Sequence, residues 1–145
     1  MRGVYVQHVH SWQRAPRSPA DGPFFAAGTD CVQMTPQMAP QDGEPVVTQK
    51  HPNSFPDAGL ADMLSSVGIE QVTVVGAMSH MCIDATARAA SDLGYKTTIV
   101  DDACATRDLE FKGNVVSADK VHAAYMSALA FGYGQVMSTA EYLAK

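Results

Sequence analysis

Apolar and polar residues alternate along the chain in two rhythms. Short runs rich in β-branched residues stand at Val4 to Val9, Val46-Val47-Thr48-Gln49, Gln71 to Val75, Lys96 to Val100 and Gln135 to Met137, and each predicts a strand. Between them the spacing turns helical. Leu60, Met63, Leu64 and Val67 recur at i, i+3, i+4, i+7 in a helix expected from about Asp57, with Gly68 placed as its C-terminal cap. After a turn over Gly76 to Met81, Cys82 to Leu93 predicts an Ala-rich helix with Ile83, Ala87, Ala90 and Leu93 near one face and Gly94 closing it. Ser117 is placed to cap a helix running to about Phe131, with Val121, Ala124, Ala128 and Phe131 inward. Ser138-Thr139-Ala140-Glu141 matches a capping box that opens a short terminal helix. From residue 46 onward strands and helices alternate, which predicts an α/β fold with a mostly parallel sheet covered on both faces.

Two stretches break the rhythm. Ser11 to Pro45 holds six of the eight prolines and reads as a long irregular loop, anchored by Phe24-Phe25. A second connection follows Asp101-Asp102, with Arg107-Asp108 and Lys112-Gly113-Asn114 as turn material. The uncharged run Ala123 to Ala140 contains Gly132-Tyr133-Gly134-Gln135, so helix, turn and strand explain it better than a membrane span.

Composition narrows the class. The 145 residues are 46% hydrophobic and 17% charged, a globular balance that fits one domain over 1–145. A formal charge of −5 argues against a nucleic-acid footprint. The first eight residues hold no apolar run of signal-peptide length, and no membrane partner is expected. Three cysteines, Cys31, Cys82 and Cys104, with no CxxC spacing, make a disulfide framework or zinc site a poor reading. The expected compartment is a reducing cytoplasm.

In a parallel sheet, ligands bind beyond the carboxyl ends of the strands. Lys50, the 76–82 turn and Asp101-Asp102 all lie at such ends. Cys82 follows a strand and a Gly-containing turn and opens a helix. Backbone N–H groups and the helix dipole favour thiolate there, and the same N–H groups can hold an oxyanion. A buried structural cysteine is the alternative. Lys50 reads either as a thiolate partner or as a solvated loop lysine. His8 and His10 share one side of a strand end, but no third metal ligand is evident. His51, His80 and His122 are acid/base candidates, and His80 lies two residues before Cys82. Cys104 has small neighbours that suggest packing, and Asp101-Asp102 reads as a base or as a cap.

At this point the residues resemble a known family. Val74-Val75-Gly76-Ala77-Met78-Ser79-His80-Met81-Cys82-Ile83-Asp84-Ala85-Thr86-Ala87-Arg88-Ala89-Ala90-Ser91-Asp92-Leu93-Gly94-Tyr95 resembles the nucleophile segment of the isochorismatase-like cysteine hydrolases. That superfamily includes nicotinamidases, carbamoylsarcosine amidases and streptothricin hydrolase-like enzymes. Gly28-Thr29, Pro40, Gly43-Glu44, Lys50 with Ser54-Phe55, and Asp102-Ala103 follow the family order. The resemblance implies a three-layer Rossmann-like sandwich and a small-molecule substrate with an amide-type C–N bond. It implies Cys82 as the acylated nucleophile, Lys50 as its support, and the N–H groups of Met78 and Cys82 as the oxyanion hole. It places a non-proline cis peptide at Ala77-Met78. Trp12, Phe55 and His80 are the expected lining residues. Pocket walls shared between subunits imply a homo-oligomer.

The departures are specific. Nicotinamidases usually carry an Asp-x-His…His metal site, where this chain has His8-Val9-His10, so neither metal nor cofactor is expected. A cysteine nucleophile also argues against true isochorismatase chemistry. The family's first strand ends in an Asp that serves as general base toward the thiol, and nothing before Val4 corresponds to it. The expectations are therefore a first strand missing from the centre of the sheet, a split sheet, and Asp21, Asp30, Asp101 or Asp102 as the remaining acids. A catalytically impaired chain acting as a binding or structural module stands beside the enzyme reading.

Overall fold

The computed structural model describes residues 5–8, 33–34, 36, 39–56 and 59–145, with 5–8 described by backbone alone. The chain divides into two compact units, Met1–Leu60 and Ala61–Lys145. Trp12, His10, Phe24-Phe25, Cys31, Asp21 and Asp30 lie outside the described residues.

In the first unit, β1 (Tyr5–His8) runs parallel to β2 (Val46–Gln49), with Tyr5 opposite Val46 and His8 opposite Gln49. β2 alternates: Val47 and Gln49 are buried, Val46 and Thr48 exposed. The strand enters from a tight turn in which the Glu44 N–H donates to Gln41 O and the Gln41 N–H to Glu44 Oε2. It leaves through Lys50 into an irregular segment, where Asn53 Oδ1 accepts from the Phe55 N–H at 3.0 Å.

The second unit is built on three parallel strands in the order β3 (Gln71–Ala77), β4 (Lys96–Ala105), β7 (Gln135–Met137). α1 (Leu60–Ser66) precedes β3, α2 (Asp84–Asp92) follows it after one π-helical turn, Ser79–Ile83, and α3 (Ala118–Gly132) precedes β7. α4 (Thr139–Leu143) closes the chain. The core joins Ile83 and Ala87 to Ile99 of β4 and to Met126 and Leu129 of α3. Small alanines on α2 let α3 and the sheet approach together.

α1 and α2 end as the glycines indicated. The Ile69 N–H donates to Leu64 O and the Gly68 N–H to Ser65 O, the paired bonds of a Schellman cap. Tyr95 to Ala90 and Gly94 to Ser91 repeat the pattern on α2. Gly68 and Gly94 have φ of +69° and +91°, which L side chains rarely adopt. The capping box at Ser138 is present, with Glu141 reaching back to the Ser138 N–H at 2.8 Å.

Several expectations are corrected. Val67 and Leu93, placed on buried faces, are 69% and 57% exposed, because each stands past its helix's last turn. Phe131 is 95% exposed, and Ala124 and Ala128 are exposed; the inward side of α3 is Val121, Met126 and Leu129. An Ala-rich helix carries little phase information, and the larger Met and Leu set the buried face. Ser117 stands at the N-cap of α3 without a side-chain cap bond, and Asp108 Oδ1 instead accepts from the Ala118 N–H at 2.8 Å. The connection after the aspartates is structured. β4 continues through Asp101-Asp102 to Ala105 with a register break: Val74 faces Ile99 and Gly76 faces Cys104, so Val100 to Ala103 stand opposite Val75. β5 (Leu109–Phe111) and β6 (Asn114–Val116) form an antiparallel hairpin. Its turn residues Lys112 and Gly113 both have positive φ, as a two-residue type I′ turn requires.

Gly134 tests the packing between α3 and the sheet. A Cβ there would lie 2.5 Å from the Thr97 carbonyl oxygen, whereas one at Gly132 would meet nothing within 4 Å. Gly134→Ala should therefore destabilise by roughly 1–3 kcal/mol, and Gly132→Ala should be neutral or stabilising by up to about 1 kcal/mol. Urea unfolding of both variants checks the contrast.

Candidate active site

The segment after β3 concentrates the chemistry. Gly76, with φ +122°, stands at the register break of β3 beside Ile83, whose Cδ1 lies 3.8 Å from where a Cβ would stand. The next peptide bond, Ala77–Met78, is cis. Met78 is extended, and its carbonyl accepts from the Met81 N–H at 2.9 Å and the Ile83 N–H at 3.3 Å. The latter closes the wide π-helical turn. Cys82 thus lies in that turn rather than in the first α-helical turn, and α2 begins two residues later.

The Cys82 thiol is half-buried. Burial pushes its pKa above the ordinary thiol value, against the opposing pull of the Met78 and Cys82 N–H groups. The expected thiolate-favouring position is therefore corrected in its net sign: the N–H groups act as expected, and desolvation outweighs them. The same two N–H groups are the ones the resemblance implies for an oxyanion hole, and they reach the sulfur's own neighbourhood.

Ser79 anchors this turn. It is fully buried, and its Oγ lies 3.3 Å from Ala105 O at the end of β4 and 2.9 Å from His122 Nδ1 on α3. Next to it, His80 Nδ1 lies 2.5 Å from Thr106 Oγ1, and its ring meets Tyr125 edge-on at 6.2 Å. Burial first, then the nearby Arg107 charge, lower the His80 pKa, so the imidazole is neutral near pH 7. Behind the turn, Asp84 and Arg88 pair at 2.9 Å, and the Arg88 guanidinium lies 4.3 Å from the Tyr133 ring centroid.

The second unit thus brings Met78, Ser79, His80 and Cys82 into one turn. Lys50 and Phe55 belong to the first unit, Lys50 exposed just past β2 and Phe55 half-buried. Trp12 lies outside the described residues, as does His10. Asp102, one of the acids considered as a base, is committed elsewhere: its Oδ1 accepts from the Thr139 N–H and Oγ1, both at 2.7 Å, and these bonds lower its pKa. Among the described residues, Asp101 Oδ1 is buried without a hydrogen-bond partner. Cys104 pairs in register with Gly76, and burial raises its pKa to about 11. Among the described residues, no three His, Cys, Asp or Glu side chains gather as a metal site, and no helix is long and apolar enough to cross a membrane.

The sequence left Ser79 without a role of its own, although it stands in Gly76-x-x-Ser79-x-x-Cys82. Its signal was a polar residue at the entrance to a buried turn. His122 was read only as one of several acid/base candidates. Its signal was a polar ring beside the buried Val121 on α3.

Comparison with known proteins agrees with this fold. The Isochorismatase domain model matches residues 1–141. A putative isochorismatase hydrolase from Oleispira antarctica superposes with a TM-score of 0.88 at 45% identity, covering 100% of this chain and 73% of that one. An uncharacterised isochorismatase family protein of Bacillus subtilis, YddQ, is 40% identical over 120 residues, 83% of this chain and 67% of its own. Streptothricin hydrolase of Streptomyces noursei is 33% identical over 111 residues, 77% of this chain and 40% of its own. The match therefore spans about two thirds of the Bacillus protein and less than half of the Streptomyces enzyme. A parallel β/α unit, a Gly-x-x-Ser-x-x-Cys turn and a family match over nearly every residue lead to one conclusion: the chain belongs to the isochorismatase family.

Proposed function

We propose that the chain is a cysteine hydrolase that cleaves an amide-type C–N bond of a small molecule through an acyl-enzyme on Cys82. The observation that carries this reading is the π-helical turn that follows β3, which holds Cys82 half-buried with the Met78 and Cys82 N–H groups drawing its pKa down against burial. Similarity to a named hydrolase, streptothricin hydrolase, supports the reaction class.

The chemistry follows from that pair. The Cys82 sulfur attacks the substrate carbonyl carbon, and the carbonyl oxygen takes up the negative charge beside the two N–H groups. The thiol proton passes to the nitrogen, the C–N bond breaks, and ammonia or an amine leaves a thioester on Cys82. Water then attacks the thioester, releasing the carboxylic acid and restoring the thiol. Lys50 is assigned the support of thiolate and oxyanion charge. Phe55, His80 and Trp12 are assigned to the pocket lining. A neutral His80 offers a hydrogen-bonding group without a competing charge. The assembly is proposed to be a homo-oligomer and its compartment the cytoplasm.

One observation favours the second reading, a binding or structural module. A half-buried thiol with a raised pKa is protonated at neutral pH, so attack needs a proton acceptor when substrate is bound. The two readings separate in a panel of small amides assayed for ammonia or amine release. The enzyme reading expects turnover that Cys82→Ala abolishes and that Lys50→Ala lowers by roughly 100-fold. Equal release from wild type and Cys82→Ala, with amides still bound, supports the module instead.

The thiols give an independent check. Iodoacetamide should label Cys82 more slowly at pH 7 than it labels a short unstructured cysteine peptide, with the rate rising above pH 9. Cys104 should follow only towards pH 11. Peptide mass spectrometry reads both, and rapid Cys82 labelling at pH 7 would show that burial does not dominate. Both folded-state pKa values lie above those of the unfolded chain, so both thiols destabilise the fold as pH rises past about 9. Cys104→Ser should reduce that alkaline loss of stability in urea melts.

A further inference from the structure

Ser79 has one hydroxyl proton and two neighbours. Its Oγ is placed to donate to Ala105 O at 3.3 Å, and the same oxygen stands 2.9 Å from His122 Nδ1. Both contacts are hydrogen bonds at once only if Nδ1 carries a proton and donates to Oγ. A deprotonated Nδ1 would compete with Ala105 for the single serine proton and leave one acceptor without a donor. Ser79 is fully buried, so its hydroxyl has these two partners to choose between, and a competition for its proton would loosen one of the two links that hold it.

The triad also joins three separate elements. Ala105 is the last residue of β4 and sits in register with Ala77, the last residue of β3. His122 lies in the second turn of α3, which packs against the π-helical turn. Ser79 immediately follows Met78 and lies three residues before Cys82. The Met78 and Cys82 N–H groups therefore flank Ser79, whose side chain is bonded both to the strand end and to α3. Displacement of Ser79 would re-aim both.

We propose that His122, with its proton on Nδ1, is a positioning residue that holds the Met78 and Cys82 N–H groups in register through Ser79. It acts through Ser79 and does not transfer protons to substrate. This inference rests on the Cys82 acyl-enzyme reading and extends it to a residue on a different element. It also separates the two histidines of the region: His80 is bonded to Thr106 and faces Tyr125, whereas His122 serves the backbone of the turn.

Two probes of Cys82 separate aim from reactivity. Acylation by p-nitrophenyl acetate develops an oxyanion and depends on the N–H pair. Alkylation by iodoacetamide is a displacement at carbon that develops none. The ratio of the two rates at one pH cancels any change in thiolate fraction. Full-length His122→Asn places an amide N–H where Nδ1–H stood, and His122→Gln moves that group one methylene further out. The ratio in His122→Asn should stay within about threefold of wild type, and in His122→Gln it should fall roughly tenfold or more. Ser79→Ala, which removes the link and leaves His122 in place, should fall as far as His122→Gln. Ratios unchanged in both His122→Gln and Ser79→Ala, or lowered equally in His122→Asn and His122→Gln, would overturn the proposal. If wild-type Cys82 is acylated no faster than the free cysteine peptide, the acyl-enzyme reading itself fails, which is a different result from any variant pattern.

Discussion

The buried hydroxyl of Ser79 ties the end of β4 to α3 at the point where the chain turns from β3 into α2. Everything chemical in the second unit is arranged within a few residues of that bond. Met78, His80 and Cys82 share its turn, and Ile83, at the far end of that turn, enters the core with Ala87, Ile99, Met126 and Leu129. Apolar packing on one side of the turn and a satisfied polar contact on the other leave the backbone little room to move. A wide π-helical turn is a costly way to begin a helix, and such turns recur at functional sites. Here it carries the nucleophile candidate and the N–H groups around it.

The same economy explains why the thiol is not ionised at rest. The packing that fixes the turn also removes water from the sulfur, and desolvation outweighs the two N–H groups. Under the proposed function, the groups that would stabilise an oxyanion are already in place, while the charge itself forms only during the reaction. Preorganised donors in a partly dry site stabilise transition-state charge more effectively than the same donors in water. Cys104, with a pKa of about 11 beside Asp101 and Asp102, is held still more firmly in the thiol form. Two cysteines in neighbouring structure thus have different chemistry available to them because only Cys82 has the paired N–H groups of the turn.

Local signals in the sequence carry much of the fold. Gly68 and Gly94 end their helices in paired backbone bonds, and Ser138 with Glu141 caps the last helix, because each device involves residues within one or two turns. The parallel strands followed from their β-branched runs, and the Gly-x-x-Ser-x-x-Cys turn was visible as a motif. What failed needed long-range information. The inward face of α3 was misread because alanines at 124 and 128 fit either side, and Met126 and Leu129 decided the phase. The β5–β6 hairpin was seen only as turn material, and the cap of α3 came from Asp108, ten residues away from the N–H it serves. The bond between Ser79 and His122 spans 43 residues, and no local pattern announces it. At Cys82 the two readings separate in the same way: helix position, which favours thiolate, is local, whereas the desolvation that raises its pKa comes from the packing around it.

Under the proposed function, the N–H groups of Met78 and Cys82 are aimed at the charge that develops on a Cys82 adduct. A crystal structure of the wild-type protein with a small aldehyde bound as a hemithioacetal on Cys82 tests this directly. The adduct oxygen should lie about 2.7–3.1 Å from both backbone nitrogens. An adduct whose oxygen points away from both, towards solvent or a side chain, would contradict it.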